Sequence, residues 1–231
     1  MNLLQDIENA RPDLPEEPPA TVKLILKYAM RSFGQRGYSA TTFRGIASEV
    51  GVSAPLLSYY FKSKKKLFLK VAEIVMSSLD SEVARMLDPR LSFYESIVVI
   101  VEAHTNIADR SPSAVEFMFA MMYGPQEGQP HIDLTSMWAE THQRIALIFK
   151  RGIDSGEFVP RSGATIEFLV LQLGNLIHSH VSARFKAERF MARRPEEREE
   201  VSRRLDEASL DSALNHFFFG DAIIYLLLVC V

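Results

Sequence analysis

Residues 42–67 read TFRGIASEVGVSAPLLSYYFKSKKKL. Phe43, Ile46, Ala47 and Val50 recur at the three- and four-residue spacing that puts them on one face of a helix. Gly51 interrupts the run, and Ser53 is placed to accept a bond from a free backbone N–H of a second helix. Pro55 falls in that helix's first turn, where its missing N–H costs little. Leu57 and Phe61, four apart, face inward, which leaves Ala54, Leu56, Ser58 and Tyr59 outward. Two short helices joined by a tight glycine turn form a helix-turn-helix, whose second helix has the dimensions to enter a major groove.

Charge sharpens this reading. Residues 21–76 hold ten Lys or Arg against two acids, Glu49 and Glu73, in a chain whose net charge is −3. The segment is cationic, while residues 1–20 and 77–231 are acidic. A near-neutral total therefore conceals a dipolar molecule, positive where phosphate would be met and negative elsewhere.

The length of 231 residues suits one large or two small domains with an ample core. Apolar residues at 47% and charged residues at 24% are ordinary globular values. One cysteine, Cys230, excludes an internal disulfide and fits a reducing cytoplasm. The first twenty residues are acidic and proline-rich rather than a secretory signal, so residues 1–19 are expected to form a flexible arm. The apolar run 222–231 is about half the length needed to span a bilayer.

Helical periodicity continues throughout, and no alternation of period two or internal repeat stands out. Val22, Ile25, Leu26, Ala29 and Phe33 predict a first helix ended by Gly34 and Gly37. Ser63 caps a fourth helix running to about Met86. Asp88-Pro89 breaks the chain, and further helices are expected from near Ser92 to about Asp109 and from Ser111-Pro112 to Gly124-Pro125. Another spans 134–151, followed by a turn over 152–156. A long apolar helix follows over 164–189, then a charged connector over 193–207 and a last helix over 210–228. The expected fold is all-α, with about nine helices: a helix-turn-helix domain over 20–67 and a second helical domain over 68–231, to which the resemblance described next assigns ligand binding and dimerisation.

The succession Phe33, Gly37-Tyr38, Thr41-Thr42, Ile46-Ala47, Gly51-Val52-Ser53, Leu57, Tyr60-Phe61, Ser63-Lys64 and Leu67 resembles the tetracycline-repressor (TetR) family over about fifty residues. Weaker likeness follows in residues 152–158 and in Phe218-Phe219-Gly220. Two positions depart from the family pattern: Ser58 where a tyrosine is common, and Lys65 where an acid is common. The resemblance implies a DNA-binding surface made of Thr41, Thr42, Arg44, Ser53, Ala54, Pro55, Leu56, Ser58, Tyr59, Tyr60, Lys62 and Lys64. Thr42 and the start of its helix would hold phosphate through hydroxyl and backbone N–H groups. Arg44 would reach phosphate or a base edge, and Lys64 a phosphate. Tyr60 either contacts DNA or packs against Phe33. An outward Leu56, with nothing to hydrogen-bond, suits a thymine methyl.

One helix-turn-helix reads few base pairs, so pairing about a two-fold axis on a palindromic operator is expected. The resemblance places the dimer interface on the last two helices, with Ile166, Leu173, Gly174, Ile177, Leu210, Leu214, Phe217 and Ile224. The same stripes would otherwise be the chain's own core. Phe117, Met118, Met121, Met122, Trp138, Phe149, Phe168 and His178 are candidates for a pocket taking a small apolar or aromatic effector that releases a repressor from DNA. No cofactor, metal site or catalytic set is expected: there is no glycine-rich phosphate loop, no His-Glu-x-x-His, and His178 and His180 diverge on a helix. The rival readings are a regulator without ligand and a membrane-associated interaction module using the apolar tail.

Overall fold

The computed structural model describes residues 20–125, 127–160 and 163–193, together with Leu214. Among them are eight helices and no strand: α1 (Ala20–Ala40), α2 (Phe43–Val50), α3 (Ala54–Phe61), α4 (Lys64–Met86), α5 (Phe93–Arg110), α6 (Pro112–Tyr123), α7 (Leu134–Ser155) and α8 (Ile166–Arg193). The expected arm over 1–19 lies outside the described residues. So does the expected last helix, apart from Leu214. The chain divides into two compact units, Met1–Leu147 and Ile148–Val231.

In the first unit, α1 buries Val22, Ile25, Leu26, Ala29, Met30 and Phe33. Ile46 and Ala47 of α2, Leu57 and Phe61 of α3, and Leu67, Phe68 and Val71 of α4 join them in one cluster. That cluster also takes Ala114, Phe117 and Met121 of α6. Phe68 meets Phe33 edge-on at 5.0 Å and Phe117 at 5.3 Å. The helix-turn-helix thus shares its core with α6.

Gly34 does not end α1 as expected. The helix runs on to Gly37, whose φ of 78° and ψ of 171° break it before a short turn to Ala40. Gly34 is a packing glycine: a Cβ there would lie 2.8 Å from the Phe117 backbone nitrogen and 3.0 Å from Glu116 atoms. Its lack of a side chain lets α1 and α6 cross in close contact.

Polar ties secure the rest of the unit. Glu82 on α4 is buried and accepts bonds from Arg85, at 2.9 Å, and from Arg110 of α5. Asp80 accepts from Thr141 at 2.9 Å and from Arg144 at 2.7 Å, joining α4 to α7. Ser92 and Glu95 form a reciprocal capping box at the start of α5.

In the second unit, Ile148 and Phe149 are buried, as are Leu169, Val170, Leu173, Ile177 and Val181 on α8. The expected turn over 152–156 is shorter than read. Gly152 is buried within α7, which continues to Ser155. Gly156, at φ 77°, ends it, and the Phe158 N–H returns to the Gly152 carbonyl at 3.0 Å.

Candidate nucleic-acid interface

Two helix starts are built by their own caps. Thr42 has extended backbone and its hydroxyl accepts the Gly45 N–H at 2.9 Å, opening α2. Ser53 does the same for α3, accepting the Leu56 N–H at 3.3 Å. Between them Gly51, at φ 75°, closes α2 in the left-handed conformation, and its N–H bonds back into the helix. That single residue turns the chain tightly enough to set α3 across α2.

The outer face of α3 carries Pro55, Leu56, Ser58 and Tyr59, all exposed, with Ala54 and Tyr60 half-buried. Tyr59 is 70% exposed, an aromatic ring held largely in solvent. Tyr60 packs partly on the core and edge-on to Tyr59 at 5.3 Å. The ring of Phe33 is met by Tyr38, Phe68 and Phe117. On the α2 side Thr42 and Arg44 are exposed. Thr41 is buried, with its hydroxyl 3.0 Å from the Ser32 carbonyl and 2.8 Å from that of Gly37, so it shapes the corner from within.

Lys62 joins α3 to α4 and is the non-glycine residue with positive φ among the described residues, at φ 59° and ψ −43°. The Ser63 N–H reaches the Phe61 carbonyl at 2.6 Å across it, a γ-turn of the strained kind. The exposed Lys62 ammonium lies 5.7 Å from the Tyr59 ring centre. Lys64 behaves differently: it is half-buried and donates to the Tyr38 and Thr41 carbonyls, each at 3.0 Å.

Electrostatics favour an anion here. Glu49, the acid in this stretch, accepts bonds from Ser32 and Arg36. Arg44 on α2, Lys62 between α3 and α4, and Lys65 and Lys66 in the first turn of α4 are all exposed. Sequence reasoning missed two contributors: Tyr38, which stacks beneath Lys64, and the Glu49–Arg36 pair. Neither sits in a motif whose spacing signals its partner.

The expected effector residues are distributed over both units. Phe117 and Met121 are buried in the shared core, and Met118, Met122 and Trp138 are half-buried in the first unit. In the second unit Phe149 is buried and Phe168 is 51% exposed. His178 is half-buried, and burial lowers its pKa, favouring the neutral imidazole. Of the expected dimer residues, Leu173, Ile177 and Leu214 are buried, while Ile166 and Gly174 are half-buried. Leu210, Phe217 and Ile224 lie outside the described residues. Among the described residues no group of three or more His, Cys, Asp or Glu is placed to hold a metal, and no helix is long and apolar enough to cross a membrane.

Comparison with known proteins agrees with this geometry. Residues 25–71 match the model of bacterial regulatory proteins, tetR family. The HTH-type transcriptional regulator YhgD of Bacillus subtilis, itself uncharacterised, is 32% identical over 75 residues, which is 32% of this chain and 39% of that protein. The chain thus spans about two fifths of this curated relative. The fold is similar to that of the regulator FadR from Bacillus subtilis, solved with stearoyl-CoA, at a TM-score of 0.63 and 16% identity, covering 87% of this chain and 99% of that one. A regulatory protein in the tetR family from Rhodococcus RHA1 has a TM-score of 0.60 at 22% identity, over 71% of this chain and 84% of that one. At these identities the structural likeness is one of fold. Residues 25–71 thus form a helix-turn-helix of the kind found in bacterial regulatory proteins of the tetR family, carried by an all-helical fold similar to that of such regulators.

Proposed function

We propose that the chain is a DNA-binding transcriptional regulator, a repressor that binds a palindromic operator as a symmetric pair and is released by a small, largely apolar ligand. The observation that carries this reading is the exposed face of α3, set beside two capped helix starts within a cationic head. Thr42 and the first N–H groups of α2 suit a phosphate. Arg44, Tyr59 and Lys62 suit further phosphates or base edges, and Ser53, Ala54 and Leu56 the floor of the groove. Selection of duplexes from a random pool, followed by sequencing, tests it. The expected product is a palindrome bound with a log–log salt slope of about −5 to −9. A slope near zero rejects the reading. Selection with Leu56→Ala is expected to relax a preference for thymine.

Pairing is supported by α8, where Phe168 and Leu171, three residues apart, are 51% and 58% exposed. A Cβ added at Gly174 on the same helix would meet nothing within 4 Å. An apolar ligand is supported by the half-buried Met118 and Met122 and by the stearoyl-CoA bound to the similarly folded FadR. Such a ligand acts by preferring a conformation whose recognition helices are wrongly spaced, and weakens DNA binding by that preference alone. Titration of stearoyl-CoA into the protein–duplex complex tests the ligand class. Unchanged affinity with this and other apolar ligands would leave a constitutive regulator.

A further inference from the structure

Lys64 opens α4, where the family resemblance sets it against a DNA phosphate. Its ammonium is engaged inside the protein instead. It donates to the carbonyls of Tyr38 and Thr41, each at 3.0 Å, and stands 4.1 Å from the centre of the Tyr38 ring. The end of a helix leaves carbonyls without intrahelical partners, and a cation is favoured there. Two of the three ammonium hydrogens are aimed at such carbonyls, and the ring face takes part of the charge. The Thr41 carbonyl belongs to the peptide that leads into Thr42, the cap of α2. Lys62, Lys65 and Lys66 around it are exposed, whereas Lys64 is half-buried.

We propose that Lys64 is a positioning residue: it locks the α1–α2 corner to the first turn of α4, so that Thr42 and the α2 N–H groups meet a phosphate which Lys64 itself does not neutralise. This rests on the DNA-binding reading above. Salt dependence separates the two roles, because each phosphate contact adds about 0.9 to the slope, or about 1.8 for a symmetric pair.

The test uses the full chain and a duplex recovered from a random pool with the wild-type protein, at a temperature where circular dichroism shows each variant folded. Lys64→Met keeps the stem and removes the donors. Its affinity is expected to fall roughly tenfold, the equivalent of one charged hydrogen bond, with the wild-type slope retained. Lys62→Met is expected to lower the slope by about 1.8. Lys64→Arg should recover most of the affinity, since its planar fork can serve both carbonyls and stack on the ring. A slope lost at Lys64→Met to the same extent as at Lys62→Met overturns the proposal. Acylation of lysines in the unaltered protein, read by mass spectrometry, checks it without a variant. Lys64 should react slowly before DNA is added and no more slowly after, while Lys62 should react fast and be protected by DNA. DNA-dependent protection of Lys64 equal to that of Lys62 also overturns it. A wild-type slope near zero overturns the DNA-binding reading on which the proposal rests, whereas fast acylation of Lys64 in the free protein overturns the lock itself, so the two failures are distinguished.

Discussion

Lys62 and Lys64 stand two residues apart, carry the same charge, and are put to opposite uses by the backbone around them. Lys62 occupies a positive-φ γ-turn that a β-carbon disfavours, at a cost of about 1–3 kcal/mol. Glycine would adopt that conformation freely, so the lysine at this position does not serve backbone stability. Its exposed ammonium lies beside the Tyr59 ring, where the proposed function would use it as a cation at the edge of α3. Lys62→Gly removes the strain, gives back about 0.5–1 kcal/mol through the greater freedom of unfolded glycine, and loses a surface cation–π contact of about 0.5–1 kcal/mol. The expected outcome in chemical denaturation is a stability between about 1 kcal/mol below and about 2 kcal/mol above wild type. Duplex affinity falls in the same variant, with a shallower salt slope. A variant that loses stability but no affinity would show the turn to be purely structural.

Helix caps act over three or four residues, which is why the elements were legible in the sequence. Ser53 and Ser63 cap the helices that the sequence assigns to them; of the pair Thr41-Thr42 it is Thr42 that caps α2, and Ser92 caps the helix expected to begin near it. Contacts between elements were not legible. Gly34 reads as a stop signal because glycine weakens helices, yet its neighbour is α6, more than eighty residues along the chain. Gly152 misleads in the same way, and Thr41 and Lys64 look like surface groups until the corner they fill is built. Gly34→Ala offers a direct check. Helix propensity alone predicts a gain of about 0.5–1 kcal/mol, but the new methyl meets α6 backbone and overpacking costs about 1–3 kcal/mol. A lower melting temperature is therefore expected, and a higher one would mean that α1 and α6 can separate without loss. The Glu82 tie between α4 and α5 makes a pH prediction. Bonds from Arg85, opposed in part by burial, and then from Arg110 hold its carboxyl below the ordinary glutamate pKa. A depressed folded pKa stabilises above the unfolded value, and that contribution is lost as pH falls through the folded one. Glu82→Gln should cost about 1.5–3 kcal/mol at neutral pH, and the gap from wild type should narrow in acid below the ordinary glutamate range. A gap that is constant with pH would mean that the charge contributes nothing.

At the scale of the whole molecule, the proposed function asks a cationic segment in an acidic chain to bring the protein to DNA, and charge alone does not choose a site. Selection needs two heads at a fixed separation, because two half-sites one helical turn apart, roughly 34 Å, multiply their discrimination. The surface that holds the pair must then be apolar enough to associate and absent from the chain's own core. Leu173 and Ile177, expected at that surface, are buried within the single chain, whereas Phe168 and Leu171 remain in solvent on α8. The second pair is the better candidate, since an exposed apolar patch on a helix marks an interaction site. Leu171→Glu places a charge where a partner's apolar face would have to cover it, while costing the isolated chain little at a position 58% exposed. Sedimentation velocity is expected to show a folded monomer, with duplex affinity reduced by at least a hundredfold and about half the salt slope, as one head alone engages phosphate. A dimer that survives this change with unaltered affinity would move the pairing surface off α8, and the geometry of the operator would have to be explained from another face of the molecule.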